Sequence, residues 1–258
     1  IIEHKFYWYL IIPAVLLLAI YKVGTLIQEH YVAPQAENMN DLVWYLIYLM
    51  AEISIALLLM KFAKYLVVIV LSPLLSLLSM KTERILTGNT YHFSFRQLVH
   101  DVKRAMKIVV RNLMWEYFFF VIILIVSILG WEDPKSSPIF YLTFAIGFFY
   151  YGFAFIDYIN ERRRLDIDES IIFVRQNRGL AISIGCIYSL FILVPVDLSA
   201  LFNWTGFSEH PIDTVGRFLL HLFLWLCAST APILAIVAAT IAMDDLVDLK
   251  SNVHSKKG

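Results

Sequence analysis

Four carboxylates stand inside or at the edges of long apolar stretches: Glu52, Glu116, Asp157 and Asp197. Leaving an ionised group in lipid costs at least a few kcal/mol. Each must therefore meet a cation, take up a proton or face water. Glu52 is the most deeply placed, and no cation stands at helical spacing from it. For Glu116 two readings stand side by side: a partner for Arg111 or Arg104, or a role on a polar pathway. Asp157 reads as an interfacial carboxylate near Arg162.

The cations divide into two groups. Arg104, Lys107 and Arg111 belong to one basic stretch, and Arg162, Arg163 and Arg164 form a run that can attract an anion. A basic run beside a membrane span reads first as an orientation signal meeting anionic lipid, and the same reading covers Arg104 and Lys107. There is no Gly-rich phosphate loop, no metal-ligand spacing of His, Cys or carboxylates, and no nucleophile elbow. No cofactor or metal is expected, and an enzyme reading has no positive support. Of the seven histidines, His92 and His100 read as solvated and His221 as a helix-packing or interfacial residue. Cys186 and Cys227 lie in apolar runs, where a thiol behaves as a small hydrophobe.

The elements that must position these groups are membrane helices. The chain of 258 residues is 60% hydrophobic and 16% charged, with a mean hydropathy of +0.71, far above what the surface of a soluble domain tolerates. Its formal net charge is zero, so nothing argues for nucleic acid as a partner. A first apolar run over residues 6–27 opens with the interfacial rings Phe6, Tyr7, Trp8 and Tyr9. A loop with Pro34 follows, ending in Asp41 as an N-cap. Residues 42–78 read as nearly continuous helix, roughly 55 Å at 1.5 Å per residue, against a hydrocarbon core of about 30 Å. Lys61 and Lys64 fall at its headgroup level, and Pro73 bends or ends the projecting part.

After a polar connector over residues 80–90, Ser94 and Gln97 form a capping box that starts a second long helix ending near residue 129. Leu98, Val102, Ala105, Val109 and Leu113 recur at helical spacing, and residues 65–78 supply the partner this stripe needs. Beyond a turn at residues 130–138 lie an apolar segment to residue 156 and a charged loop over 157–179, with a short helix over 168–178 stopped by Gly179. Two further apolar runs, 180–201 and 218–242, carry Pro195 and Pro232 and are joined by a polar turn. The fold class is therefore all-α: a polytopic helical membrane protein. It forms a single membrane domain over residues 1–258, with a long antiparallel hairpin over 42–129 reaching into the cytoplasm, C-terminal membrane hairpins over 139–242 and a frayed polar tail over 244–258.

Orientation follows from the basic residues. Lys81, Arg84, Arg96, Lys103, Arg104, Lys107 and Arg111 cluster in one connector, and Arg162, Arg163, Arg164, Arg175 and Arg178 in another, whereas the remaining loops offer only Lys135 and Arg217. Lys5, Lys250, Lys256 and Lys257 put both termini on the basic, cytoplasmic side.

Several short motifs have a familiar look. Leu71-Ser72-Pro73, Thr82-Glu83-Arg84-Ile85-Leu86-Thr87-Gly88, Phe93-Ser94 and Asp101-x-x-Arg104 in the hairpin are followed by Phe155-Ile156-Asp157-Tyr158, Arg163, Phe173, Arg175 and Pro195. Ala238-Ala239-Thr240 stands near the end. Together they resemble the CysZ family, which also embraces the eukaryotic etoposide-induced membrane proteins. The resemblance implies a bacterial inner-membrane permease or channel for sulfate or a similar small inorganic oxyanion, feeding cysteine biosynthesis. It also implies hairpins that half-penetrate the bilayer, and a homo-oligomer whose partners are membrane lipid and the anion. On that reading Arg104, Arg111 and Glu116 line the path and Lys5 stands at its mouth. The family's Gly-Leu-Arg element before the first apolar helix is absent: the chain has Glu3-His4-Lys5-Phe6-Tyr7-Trp8, so Lys5 supplies a charge without the guanidinium fork that suits an oxyanion. The competing expectation is a non-transporting scaffold that binds lipid or protein through the hairpin.

Overall fold

A computed structural model describes residues 6–30, 65, 67–91, 95–133, 136–204, 207, 210–251 and 256–257. Lys5, Glu52 and His92, the expected caps Asp41 and Ser94, and residues 42–64 of the first long helix lie outside the described residues. A 3-10 turn, Phe6–Leu10, leads into α1 (Ile11–His30). Then come α2 (Ser72–Thr87), β1 (Asn89–Thr90), α3 (Phe95–Gly130), α4 (Leu142–Arg162), α5 (Ile167–Gln176), α6 (Arg178–Ile192), α7 (Pro211–Val247) and β2 (Lys256–Lys257). Among the described residues, Val102–Gly130, Pro138–Arg162 and Pro211–Val247 are long and apolar enough to cross a membrane. α6, at 15 residues, reaches only about 22 Å and falls short of the hydrocarbon core. The six apolar runs are thus not six equivalent crossings.

Pro73 sits in the first turn of α2, where its missing N–H removes a bond that the helical residues running in from Val67 would otherwise make. Leu71 N–H still reaches Val67 O at 2.9 Å and Leu75 N–H reaches Leu71 O at 2.8 Å, so helical hydrogen bonding continues past the proline. The expected polar connector over residues 80–90 is instead mostly helix. Ser79, Thr82 and Glu83 continue the buried face of Leu75 and Leu78, and α2 closes only at Gly88, whose φ of 77° is left-handed.

α3 has the extent its pattern predicts. Ala105 and Val109 are buried together with Ile108, Asn112 and Glu116, while Lys103, Met106, Lys107, Val110, Met114 and Phe118 face outward. Its inward face meets the chain around Tyr65 and also lies along α4. α4 and α6 pack so closely that their backbones nearly touch: a Cβ added to Gly152 would lie 1.8 Å from Ala181 O, and one on Gly185 1.7 Å from Phe148 O. Small residues at such a crossing are how helices associate in lipid, where no hydrophobic drive separates partner from solvent.

Further expectations are corrected. Residues 157–179 are not a charged loop: α4 continues to Arg162, a turn follows, and α5 begins with a capping box between Asp166 and Glu169. Asn177, rather than Gly179, ends α5, and Gly179 lies inside α6. α7 starts at Pro211 within the supposed turn and runs 37 residues through Pro232, burying an inward row of Ala228, Ala231, Ala235 and Ala239. The described residues of the tail, up to Ser251 and at 256–257, are held as well. β2 pairs antiparallel with β1, and the Asn89 amide donates to Leu249 O at 2.8 Å, which brings the C-terminal residues to the end of the bundle where α2 gives way to α3.

Candidate functional site

Among the described residues, buried charge is gathered in three places along α3 and α4. In the first, Arg162 in the last turn of α4 donates from Nε to Glu83 Oε2 at 2.9 Å, from one terminal nitrogen to Ser79 Oγ at 2.7 Å and from the other to Tyr158 O at 3.3 Å. Glu83 accepts further bonds from the Asn89 amide at 3.1 Å and from the Tyr91 hydroxyl. Ser79 also meets Thr240 of α7 at 2.7 Å. A buried ion pair offsets its desolvation only when the surrounding polar groups are satisfied, and here they are. Arg162 is therefore an internal tie between α2, α4 and α7, not a lipid-facing member of the arginine run.

The second cluster joins α3, α4 and α5. Arg104 grips Asp157 with two parallel bonds, Nε to Oδ2 at 2.9 Å and one terminal nitrogen to Oδ1 at 2.7 Å, the paired geometry that guanidinium and carboxylate share. Its other terminal nitrogen donates to Leu165 O at 2.7 Å, and Ser170 Oγ donates to Asp157 at 2.6 Å. Asp157 thus pairs with Arg104, not with Arg162. Asn160 completes the set through Ser170 Oγ at 3.0 Å and Arg163 at 3.1 Å.

The third place is Glu116, 2% exposed within a membrane-crossing segment. Its Oε2 accepts from the Tyr65 hydroxyl at 2.8 Å, and the Tyr151 ring packs on Tyr65 with centroids 4.8 Å apart. Gly147 of α4 lies against the carboxylate, where a Cβ would stand 3.4 Å from Oε1, an ordinary contact distance. Neither Arg104 nor Arg111 is within salt-bridge distance of Glu116.

Arg111 is placed differently from the other two lining candidates. It is half-buried, with its guanidinium 5.7 Å from the Phe153 ring and 3.3 Å from Asn112 Oδ1. It lines two concavities: an open groove of about 1190 Å³ along the outer face of α3, and a crevice of about 20 Å³ behind it. Arg175 of α5 and Tyr150 of α4 line the same crevice. In the sequence Arg175 stands among the orientation signals and in one of the short motifs, with nothing to link it to Arg111; the return of α5 to the bundle puts both arginines on one crevice. Arg104 lines the groove at its edge, with its guanidinium committed to Asp157 and Leu165.

No curated protein and no solved structure matches the chain. A family model described as "Sulfate transporter CysZ/Etoposide-induced protein 2.4" matches residues 1–202. That stretch takes in the Arg162–Glu83 and Arg104–Asp157 pairs, Glu116 and the Arg111–Arg175 crevice, with most of the helices that position them. The chain is thus a helical membrane protein belonging to the Sulfate transporter CysZ/Etoposide-induced protein 2.4 family.

Proposed function

We propose that the protein is a permease or channel for a small inorganic oxyanion, sulfate first among them, and does no covalent chemistry of its own. The observation that carries this reading is the convergence of Arg111 and Arg175 on one crevice that opens, through Arg111, into the groove on α3. Half-buried Arg111 and exposed Arg175 line the same small space; two like charges so close favour an anion beside them, and the planar guanidinium fork suits the oxygens of an oxyanion. The crevice has room for about one water molecule, so the anion is held on the groove side of Arg111. Glu116, one and a half turns further into the lipid on the inner face of α3, is the next ionisable group along that helix after Arg111.

Liposomes containing the purified protein are expected to take up labelled sulfate, and Arg111→Ala and Arg175→Ala to lower that uptake at least tenfold. Arg104→Ala is a poor probe, because it breaks the clamp on Asp157. Uptake no greater than that of empty liposomes, across sulfate, phosphate and chloride, would remove the proposal. The scaffold reading has one observation in its favour: the guanidinium groups of Arg104 and Arg162 are engaged within the bundle. A stoichiometric protein partner recovered by crosslinking, without ion flux, would favour it.

A further inference from the structure

We infer that the groove on the outer face of α3 is a binding site for a phospholipid whose headgroup carries hydrogen-bond donors. Its floor is a single helical stripe. Lys103 and Lys107 lie at the N-terminal end, and Met106, Val110, Met114 and Phe118 continue it at steps of three and four residues, all exposed. Charge gives way to apolar surface along the stripe, as it does from headgroup to acyl chain along a lipid.

The dimensions agree. From Lys107 to the end of α3 at Gly130 is about 35 Å of helix, which brackets a hydrocarbon core of about 30 Å. Lysine at that level sits among the headgroups, and Phe118, about 16 Å deeper, lies near the bilayer centre. A phosphate on Lys103 and Lys107 therefore leaves one acyl chain lying along Val110, Met114 and Phe118 through its whole leaflet. Arg111, half-buried beside this exposed stripe, is left to the small anion.

The opposite wall selects the headgroup. Asp166 and Asp168, at the start of α5, line the same end of the groove as the lysines. The Asp166 carboxylate accepts from Glu169 N–H at 2.7 Å, whereas Asp168 is exposed in the first turn. Carboxylates beside a phosphate site repel further negative charge and accept from an ammonium or hydroxyl group. Ethanolamine and glycerol headgroups supply such donors, and choline, with its methylated nitrogen, does not.

The site is tested by native mass spectrometry of the delipidated full chain, offered matched-chain phosphatidylethanolamine, phosphatidylglycerol and phosphatidylcholine. The ethanolamine and glycerol lipids should be retained at least fivefold over the choline lipid. The double variant Lys103→Ala/Lys107→Ala should lose that retention about tenfold, and Asp168→Asn should remove the preference for ethanolamine over choline. Both lysines are exposed, and helix content by circular dichroism, with Met114→Glu as a second probe on the acyl path, separates loss of the site from loss of the fold. Equal retention of the three lipids, unchanged retention in the lysine variants, or displacement of the lipid by millimolar inorganic phosphate would overturn the inference. The readout needs no flux, so a protein that fails to transport sulfate can still satisfy it.

Discussion

Arg162 and Glu83 meet at 2.9 Å in a place sealed from solvent, 79 residues apart in the chain and on different helices. The pair closes a network that runs from Ser79 and Thr240 at one side to Asn89 and Leu249 at the other. Cutting one half leaves the other half buried and unpaired. Arg162→Met is expected to destabilise the folded protein by about 3–5 kcal/mol. The double change Arg162→Met/Glu83→Leu should recover most of that loss, since an apolar pair of similar volume replaces the ions. Thermal unfolding in detergent measures both, and a double variant no better than the single one would count against an isolated ion-pair role.

The α4–α6 crossing is set by two glycines. A methyl group at Gly152 or Gly185 would stand within 2 Å of the facing backbone carbonyl, and a carbonyl, unlike a flexible side chain, has nowhere to swing. Gly152→Ala and Gly185→Ala should each cost about 1–3 kcal/mol, the usual scale for overpacking, with the helices forced apart. Gly179, in the same region with open space around it, should accept alanine without comparable loss. Equal behaviour of all three alanine variants would refute the close crossing.

These contacts mark what is legible in the chain and what is not. α3 is readable because its apolar residues repeat with the helix period and no proline interrupts them. The partners of its charges are not readable. Asp157 and Arg162 are five residues apart, a separation that turns them to different sides of α4, so Asp157 looks to α3 and finds Arg104 while Arg162 looks to α2 and finds Glu83. Polarity over residues 157–179 suggests a loop, yet most of these residues are helical: Asp157 and Arg162 find buried partners at the end of α4, and Asp168, Glu169 and Arg175 lie on the exposed side of α5. One local signal was present: Asp166 and Glu169 have the spacing of a capping box and mark the true start of α5. The Arg111–Arg175 approach depends on how α5 folds back on the bundle, which no local pattern encodes.

Asp197 gives a pH-dependent readout outside the membrane-crossing segments. Its carboxylate accepts from the Ser199 hydroxyl and the Ser199 N–H, capping the short Leu198–Leu201 turn. The hydroxyl bond first, and the backbone bond with it, holds the Asp197 carboxyl below its ordinary value of 3.8. A carboxylate whose pKa falls on folding adds stability that is complete above its unfolded value, near pH ~4, and that disappears as the pH drops through the lower folded value. Carboxyl-detected NMR should place its midpoint below that of an unfolded reference, and Ser199→Ala should move the midpoint back up. A midpoint at or above the reference would show that the cap does not hold in solution.

Glu116 separates a structural carboxylate from a working one. Its Oε2 is the acceptor for the Tyr65 hydroxyl, and glutamine keeps an oxygen there while leucine removes it. Glu116→Leu should therefore cost about 1–3 kcal/mol, the penalty for leaving a buried hydroxyl unsatisfied, whereas Glu116→Gln should unfold near the native temperature. Anion flux then decides the role. If Glu116 only anchors Tyr65, Glu116→Gln liposomes transport as the native protein does. If its charge or proton takes part in passage, the same variant loses uptake while keeping its stability, because an amide offers the acceptor without the ability to ionise. Measured side by side, unfolding midpoint and uptake distinguish the two, and a Glu116→Gln protein that neither folds nor transports would contradict the hydrogen-bond geometry on which both readings rest.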